Sequence, residues 1–85
     1  MPSRALEVKM DEIRSLAREA INNRLEGTGH EMSRCLIGMW AEPDGVLVLH
    51  VNSGGNSIAV THALWSRFKV DSAPHPEYGV LIWVR

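Results

Sequence analysis

Cysteine, long apolar runs and net charge are all scarce in the amino-acid sequence, and each of these absences excludes a class of protein. Cys35 is the one cysteine among 85 residues, so no disulfide can form within them. No apolar run approaches the roughly 20 residues that a membrane helix needs, and residues 1–4 lack the apolar stretch of a secretory signal. The net charge of -1 gives no overall field that would attract nucleic acid. We therefore expect a cytoplasmic protein that does not insert into a membrane.

The motifs of common catalytic and cofactor sites are missing as well. The sequence contains neither a P-loop nor a Gly-x-Gly-x-x-Gly fingerprint, and it lacks the nucleophile elbow of serine hydrolases. Its histidines show no spacing typical of a zinc site, and one cysteine is too few for the usual structural zinc sets. We therefore expect no enzyme, no cofactor and no metal site. The four histidines are His30, His50, His62 and His75.

The length and composition suit one small globular domain. Hydrophobic residues make up 45% of the chain and charged residues 22%, a balance typical of a globular rather than a disordered protein. A chain of 85 residues can build one modest core, near the size at which stability becomes marginal. We therefore expect a single domain over residues 1–85.

The first segment has the periodicity of an amphipathic helix that ends at Gly27. Its apolar residues recur every three or four positions, and polar residues occupy the opposite side. Arg24 falls within the apolar arc, where a charge is costly to bury. Either its stem packs while the guanidinium reaches solvent, or it anchors a carboxylate or phosphate of a partner. The apolar positions are Leu6, Met10, Ile13, Leu16, Ala17, Ala20 and Ile21.

The two apolar segments 33–41 and 46–51 predict the strands of a β-hairpin. Pro43 favours the first corner of a type I turn, and Gly45 can take the positive φ that returns the chain. A three-residue loop, 43–45, therefore joins the strands.

This loop length sets the register of the hairpin, because it pairs Gly38 with His50 and Trp40 with Val48. A register shifted by one residue would move His50 to the face that otherwise looks like core. We favour the first register because a glycine opposite an imidazole leaves room for the ring. One face then holds Cys35, Ile37, Met39, Leu47, Leu49 and Val51, and the other holds Leu36, Trp40, Val46, Val48 and His50.

A polar turn with two glycines, residues 52–57, joins the second strand to a second helix. Asn56 or Ser57 can cap this helix. Ile58, Leu64 and Trp65 fall along one side of it, together with Thr61 and Phe68.

The residues that follow the second helix complete the predicted fold. The segment 71–77 contains two prolines and indicates an irregular loop, because proline suits neither a helix interior nor a central strand. Residues 78–85 form a third strand, which the crossover rule makes parallel to the second and beside the first. The fold class is therefore α+β, a two-layer sandwich in the order helix-strand-strand-helix-strand. It has a three-stranded mixed sheet (order 2-1-3) with both helices on one face.

We expect function at the sheet face that carries no helix. That face would hold tryptophans, the residue type most enriched at binding hot spots. The small size and the lack of a catalytic motif suit a noncatalytic adaptor, assembly factor or inhibitor, of the compact kind that phages and mobile elements use against host complexes. The partner would be a protein or a second copy of the chain. The expected binding residues are Leu36, Trp40, Val48, His50, Trp83 and Arg24.

The glycine turn supports an alternative of a different class. Backbone N–H groups ahead of a helix can converge on an anion, although two glycines and a cap also suit an ordinary strand-to-helix connection. The turn lacks the Gly-x-x-Gly loop with flanking lysines that clamps RNA in KH domains. The alternative is a small nucleic-acid-binding or ribonuclease-like domain. The anion site would comprise Gly54, Gly55, Asn56 and Ser57, and the surrounding groups would be His50, His62, Arg67 and Lys69.

Overall fold

A computed structural model describes residues 4–26 and 35–85, which form two helices and four strands. The sheet is antiparallel throughout, in the order β1-β2-β4-β3, and the predicted α+β class is confirmed. The predicted helix end at Gly27, His30 and the strand start at 33–34 lie outside the described residues. In chain order the elements are α1 (Arg4–Leu25), β1 (Leu36–Ala41), β2 (Leu47–Val51), α2 (Gly54–Leu64), β3 (Val70–Pro74) and β4 (Val80–Val84).

The predicted three-stranded mixed sheet is wrong in the number, order and direction of its strands. Most of the predicted loop 71–77 belongs to an additional strand, β3, which lies at the edge of the sheet. Pro74 ends this strand at a position where the missing N–H would face away from β4, so it removes no ladder hydrogen bond. The last strand, β4, lies between β2 and β3 and antiparallel to both. The crossover through α2 therefore leads to the edge strand and not to the last strand.

Both helices pack on one face of the sheet, where they share a single apolar core with β2 and β4. α1 buries the side that its periodicity predicts, and Leu6, Met10 and Leu16 pack against the core from its margin. Within the described ranges, neither helix combines the length and apolar character that a membrane span requires. The buried core residues are Ile13, Ala17, Ile21, Leu25, Cys35, Leu47, Leu49, Val51, Val60, Leu64, Ile82 and Val84.

The hairpin forms in the predicted register. Gly38 pairs with His50, and Trp40 pairs with Val48. The connecting loop has the predicted three residues, 43–45. A backbone hydrogen bond of 2.8 Å between the two residues that flank the loop closes it. The sequence pattern was therefore sufficient to place these side chains opposite one another.

The turn owes its shape to two local features. Gly45 has a φ of +88°, the left-handed region that a glycine adopts without strain. The Asp44 carboxylate accepts a 3.0 Å hydrogen bond from the Val46 N–H. Because both features are specific to this loop length, they favour the observed register over the shifted one.

A bulge in β1 overturns the predicted face of Leu36. Leu36 pairs with Val51, yet the next pair in register is Gly38 with His50, so Ile37 is an extra residue on β1. Leu36 therefore packs against the helix-side core and does not lie on the opposite face with Trp40, and Ile37 is exposed.

α2 begins earlier than predicted. Ser53 is its N-cap and accepts a 3.2 Å hydrogen bond from the Asn56 N–H, so neither Asn56 nor Ser57 is the cap. The two glycines, Gly54 and Gly55, belong to the first turn of the helix. Asn56 and Ser57 lie inside the helix, and both are buried.

The predicted apolar side of α2 is wrong in part. Val60 and Leu64 are fully buried, whereas Ile58 is 69% exposed and Trp65 is 74% exposed. α2 carries apolar residues on nearly all sides, so its periodicity offers little contrast from which to choose the buried one. Two large apolar side chains are left on the outer side of this helix.

Candidate binding surface

The sheet face that points away from the helices carries two rows of side chains. Strand pairing places one residue from each strand in each row, and side-chain alternation directs all of them to the same side. We call this surface the open face. It consists of Trp40, Val48, Trp83 and Asp71 in one row and Gly38, His50, Leu81 and Ala73 in the next.

The first row is built around Val48. This side chain is only 1% exposed although it faces away from both helices. Its direct neighbours across the sheet are Trp40 on one side and Trp83 on the other. Cross-strand neighbours lie within contact distance, so the two indoles shield the valine. Trp40 itself remains 40% exposed, which leaves indole surface for a contact.

Trp40 is held in a defined orientation. Its indole Nε1 donates a 3.0 Å hydrogen bond to the Glu42 carboxylate. The ring lies beside Gly38, where a Cβ would come 3.7 Å from the nearest ring atom. The polar edge of the indole is therefore satisfied within the chain, and its remaining exposed surface is apolar.

A shallow depression of about 410 Å³ adjoins this row at the hairpin end of the sheet. Trp83 forms one wall, so the depression is continuous with the open face. Charged groups of both signs lie at its rim. The lining residues are Glu42, Pro43, Asp44, Val46, Trp83 and Arg85.

The loop between β3 and β4 covers His50 in the second row. His75 of this loop stacks on His50 with ring centroids 4.3 Å apart and planes inclined by 16°. The Tyr78 ring centroid lies 5.4 Å from that of His50. His50 Nε2 donates a 2.9 Å hydrogen bond to the Tyr78 carbonyl oxygen. The loop leaves His50 only 8% exposed, so this imidazole is a packing group.

Gly79 allows the loop to return over the sheet. Its φ is +75°, and a Cβ there would collide with the Val51 carbonyl oxygen. Within the loop, the Glu77 N–H donates a 3.1 Å hydrogen bond to His75 Nδ1. The backbone of residues 75–79 is therefore fixed at both the glycine and the imidazole.

The structure brings together four of the six predicted binding residues. Val48 and His50 lie beneath the surface, which leaves the two tryptophans as the groups that a partner can touch. Leu36 belongs to the core, and Arg24 lies on the helix side of the sheet. The four on the open face are Trp40, Val48, His50 and Trp83.

Arg24 binds within its own chain. Its Nη1 donates a 2.9 Å hydrogen bond to Oδ1 of Asn56, whose side chain is 2% exposed. The guanidinium occupies the space that a Cβ of Gly55 would need. Asn56 Nδ2 in turn donates a 2.6 Å hydrogen bond to Asn52. The glycine therefore leaves room for the arginine that joins α1 to the start of α2.

Two backbone N–H groups of the predicted anion site are already hydrogen-bonded within the start of α2. The Asn56 N–H bonds to the Ser53 hydroxyl, and the Ser57 N–H bonds to the Ser53 carbonyl at 3.0 Å. The Ser57 hydroxyl donates to the Gly54 carbonyl oxygen at 3.1 Å. These bonds are those of an ordinary capped helix start.

The residues of the ribonuclease-like alternative do not converge. His50 lies on the open face, whereas His62 lies on the outer side of α2, across the sheet. Arg67 donates a 2.8 Å hydrogen bond to Glu12 of α1. An acid and a base must both reach one substrate, and these two imidazoles are on opposite sides. Among residues 4–26 and 35–85, no three histidine, cysteine, aspartate or glutamate side chains lie close enough to hold a metal ion.

A second apolar surface was not predicted. The exposed side of α2 and the edge strand β3 enclose a groove of about 310 Å³, which we call the α2–β3 groove. The spacing of its helical residues, i, i+3, i+4 and i+7, was present in the sequence but indicated core. The lining residues are Ile58, Thr61, His62, Trp65, Val70 and Ser72.

No protein-family model, curated protein or solved structure matches this chain.

Proposed function

We propose that this protein is a noncatalytic interaction module that binds a protein partner through the open face. The observation that supports the proposal is the burial of Val48 between Trp40 and Trp83 on the side away from the helices. An antiparallel sheet with one solvated face usually carries polar side chains there. Here two large indoles and a valine occupy three of the four positions in one row of that face, as expected for a contact surface.

The chemistry of the surface favours an apolar partner segment with polar groups at its margin. The Trp40 N–H already donates to Glu42, so a partner that covers the indole ring leaves no buried N–H without a hydrogen bond. The neighbouring depression can accept a partner side chain against Trp83. Tryptophans that become fully desolvated in such pockets carry much of the binding free energy at protein interfaces.

The charges at this surface favour a protein over nucleic acid. Three carboxylates, Asp71 in the tryptophan row and Glu42 and Asp44 at the rim of the depression, outnumber the two cations beside them, Arg85 at the same rim and its strand neighbour Lys69. These carboxylates would repel a phosphate backbone, whose attraction supplies most of the affinity in nucleic-acid binding. The protein would act as an adaptor, an assembly factor or an inhibitor. Its action as a phage or mobile-element inhibitor of a host complex rests on its small size and the lack of a catalytic motif.

Comparative capture of partners tests the proposal. The wild-type protein, Trp40→Arg and Trp65→Ser are immobilised and exposed to lysate of the source organism. The arginine stem can continue to cover Val48 while its charge disrupts an apolar contact. Trp65→Ser is the matched control, because it removes an exposed tryptophan outside the open face.

We expect a partner that is captured by the wild type and by Trp65→Ser and reduced at least about tenfold by Trp40→Arg, which corresponds to about 1.4 kcal/mol. Far-UV circular dichroism must show that Trp40→Arg remains folded. Undiminished capture by folded Trp40→Arg would contradict the proposal.

A further inference from the structure

The outer edge of β3 carries backbone groups that the ladder with β4 does not use. Lys69 and Arg85, the pair next to this ladder, exchange two hydrogen bonds at 3.3 and 2.8 Å. Bonded and non-bonded pairs alternate in an antiparallel ladder, so the N–H and C=O groups of Val70 and Ser72 point away from β4. Pro74 adds an outward carbonyl but has no N–H. An edge of this kind is a template for an added strand.

The stretch that can accept a strand is short and has defined ends. Before it lies the turn after α2, in which the Arg67 and Phe68 N–H groups already bond to the Leu64 carbonyl. After Ser72 the ladder loses its next N–H at Pro74. The five residues of β3 therefore suit a partner segment of the same length.

The α2–β3 groove lies beside this stretch on the helix side of the sheet. Val70 and Ser72 line it from the strand, and Ile58 and Trp65 line it from α2. Both of these α2 side chains are exposed, and Ser72 is exposed too although it shares a side with the core residue Ile82. An added strand would send alternate side chains into the groove, where they would cover this apolar surface.

The opposite edge of the sheet is less suited to strand addition. β1 is interrupted by the bulge at Ile37, a device that hinders edge pairing. β3 keeps an unbroken register along its whole length. An added strand therefore meets an even ladder and an apolar groove together at β3.

Antiparallel addition fixes which side chains of the segment meet which groups. The segment residues opposite Ser72 and Val70 exchange hydrogen bonds with them and point into the groove. The residue between these two lies opposite Asp71, on the side of the open face. A cation there would face the Asp71 carboxylate, and directly facing opposite charges stabilise a sheet. Lys69 points to the same side but precedes β3, so it lies past the end of a five-residue segment.

We propose that the edge of β3 binds an extended peptide segment of a protein partner, which adds a fifth strand antiparallel to β3. The segment has apolar side chains at two alternate positions and a basic side chain between them. Main-chain hydrogen bonds supply affinity, and the alternate side chains supply specificity. The site meets the open face only at Asp71, so the inference does not depend on what the tryptophans of that face bind.

Titration of the whole chain with a blocked pentapeptide tests the site by NMR. The probe is acetyl-Thr-Thr-Ile-Lys-Val-amide, whose last three residues lie opposite Ser72, Asp71 and Val70 in turn. We expect a dissociation constant below about 1 mM, the weak end for a small interface. The Val70 and Ser72 amides and the Trp65 indole should shift. The Trp40 indole is the control outside the site and should stay in place.

Two N-methylated isomers of the probe separate strand addition from apolar contact alone. A methyl group on the isoleucine nitrogen removes the N–H that donates to the Ser72 carbonyl, so affinity should fall at least about tenfold. A methyl group on the lysine nitrogen points away from β3 and should change affinity by less than about threefold. The isomers have the same composition, so a groove that bound only apolar side chains would not distinguish them.

Charge exchange tests the register. Replacing the lysine of the probe with glutamate should weaken binding to the wild type by about three- to tenfold. Asp71→Lys should reverse this preference and bind the glutamate peptide more tightly. Lys69→Gln is the matched control and should keep the preference of the wild type. Asp71 and Lys69 are both exposed, and far-UV circular dichroism verifies that each variant is folded.

Any of four results would overturn the inference. The first is that the Val70 and Ser72 amides do not shift at peptide concentrations up to roughly 5 mM. The second is equal binding of the two N-methylated isomers, and the third is a lysine preference that survives in Asp71→Lys. The fourth is hydrogen exchange at the Val70 N–H that slows with protein concentration when no peptide is present, because a second copy of the chain would then occupy the edge.

Discussion

Replacing Trp40 with alanine should destabilise the fold by about 1–2 kcal/mol more than the same replacement at Trp65. The two sites compare one residue type on two sides of the molecule. Trp40 is 40% exposed and shields Val48, whereas Trp65 is 74% exposed on the outer side of α2. The difference between the two variants therefore measures how much of the open face is already packed before any partner binds.

The magnitude follows from the area that each indole removes from water. A fully buried tryptophan removes about 250 Å², so Trp40 buries about 150 Å² and Trp65 about 65 Å² on the same scale. At about 25 cal/mol per Å² the difference is about 2 kcal/mol. A compact denatured state lowers it by as much as about 40%, to about 1.3 kcal/mol. Exposure of Val48 in the Trp40 variant acts in the opposite direction and enlarges the difference.

Urea unfolding followed by far-UV circular dichroism is the suitable assay, because tryptophan fluorescence would itself change in both variants. The two variants should share the wild-type dependence of unfolding free energy on urea concentration. Equal destabilisation by the two substitutions, or a larger effect at Trp65, would refute the packing of Trp40 over Val48. In that case the low exposure of Val48 would need another cause.

Two further predictions concern the hydrogen bond between Arg24 and Asn56 and the loop between β3 and β4. Arg24→Met keeps the length of the stem but removes the donor to the buried Asn56 carbonyl oxygen, so we expect a loss of about 1–2 kcal/mol in urea unfolding; a loss near zero would show that this hydrogen bond contributes nothing. Gly79→Ala should cost about 1–3 kcal/mol, because φ is +75° and the added Cβ would collide with a carbonyl of β2. The same variant should shift the His50 ring signals in NMR as the loop moves, whereas unchanged ring signals would contradict the role of the glycine. Gly54→Ala is its matched control, since nothing lies within 4 Å of a Cβ there.

Local signals predicted the parts of the fold that local forces determine. The three- and four-residue spacing of α1 predicts three of its buried residues, Ile13, Ala17 and Ile21, because a long amphipathic helix has a clear contrast between its sides; Leu25, which is also buried, was not among the predicted positions. The hairpin register also matches, since loop length and turn residues set it together. In both cases the information lies within a few residues of the feature that it specifies.

The strand order required information that is not local. Prolines at 74 and 76 correctly exclude a central strand, but they are compatible with an edge strand, and β3 is one. Without β3, the crossover rule gives the last strand the direction that β3 has, parallel to β2, and places it beside β1, whereas β4 lies between β2 and β3. The predicted buried side of α2 is wrong for a similar reason. Ile58 and Trp65 are as apolar as the residues that are buried, so the local pattern does not distinguish the two sides.

The candidate surface was predicted in outline but not in detail. Alternation along β2 and the hairpin register were sufficient to put Trp40, Val48 and His50 on one face. The bulge that sends Leu36 to the core has no clear sequence signal. The stacking of His75 on His50 requires the whole β3–β4 loop to fold back, which no short-range pattern encodes.

The indole signals of the three tryptophans provide the most direct test of binding through the open face. Each gives its own Nε1–H resonance in a nitrogen-correlated NMR spectrum, so Trp40 and Trp83 report on the open face and Trp65 reports on the α2–β3 groove. The spectrum is recorded with and without the captured partner at one protein concentration, so that self-association stays constant. We predict that the Trp40 and Trp83 signals shift or broaden while the Trp65 signal stays in place. Shifts confined to Trp65, with Trp40 and Trp83 unchanged, would contradict the account.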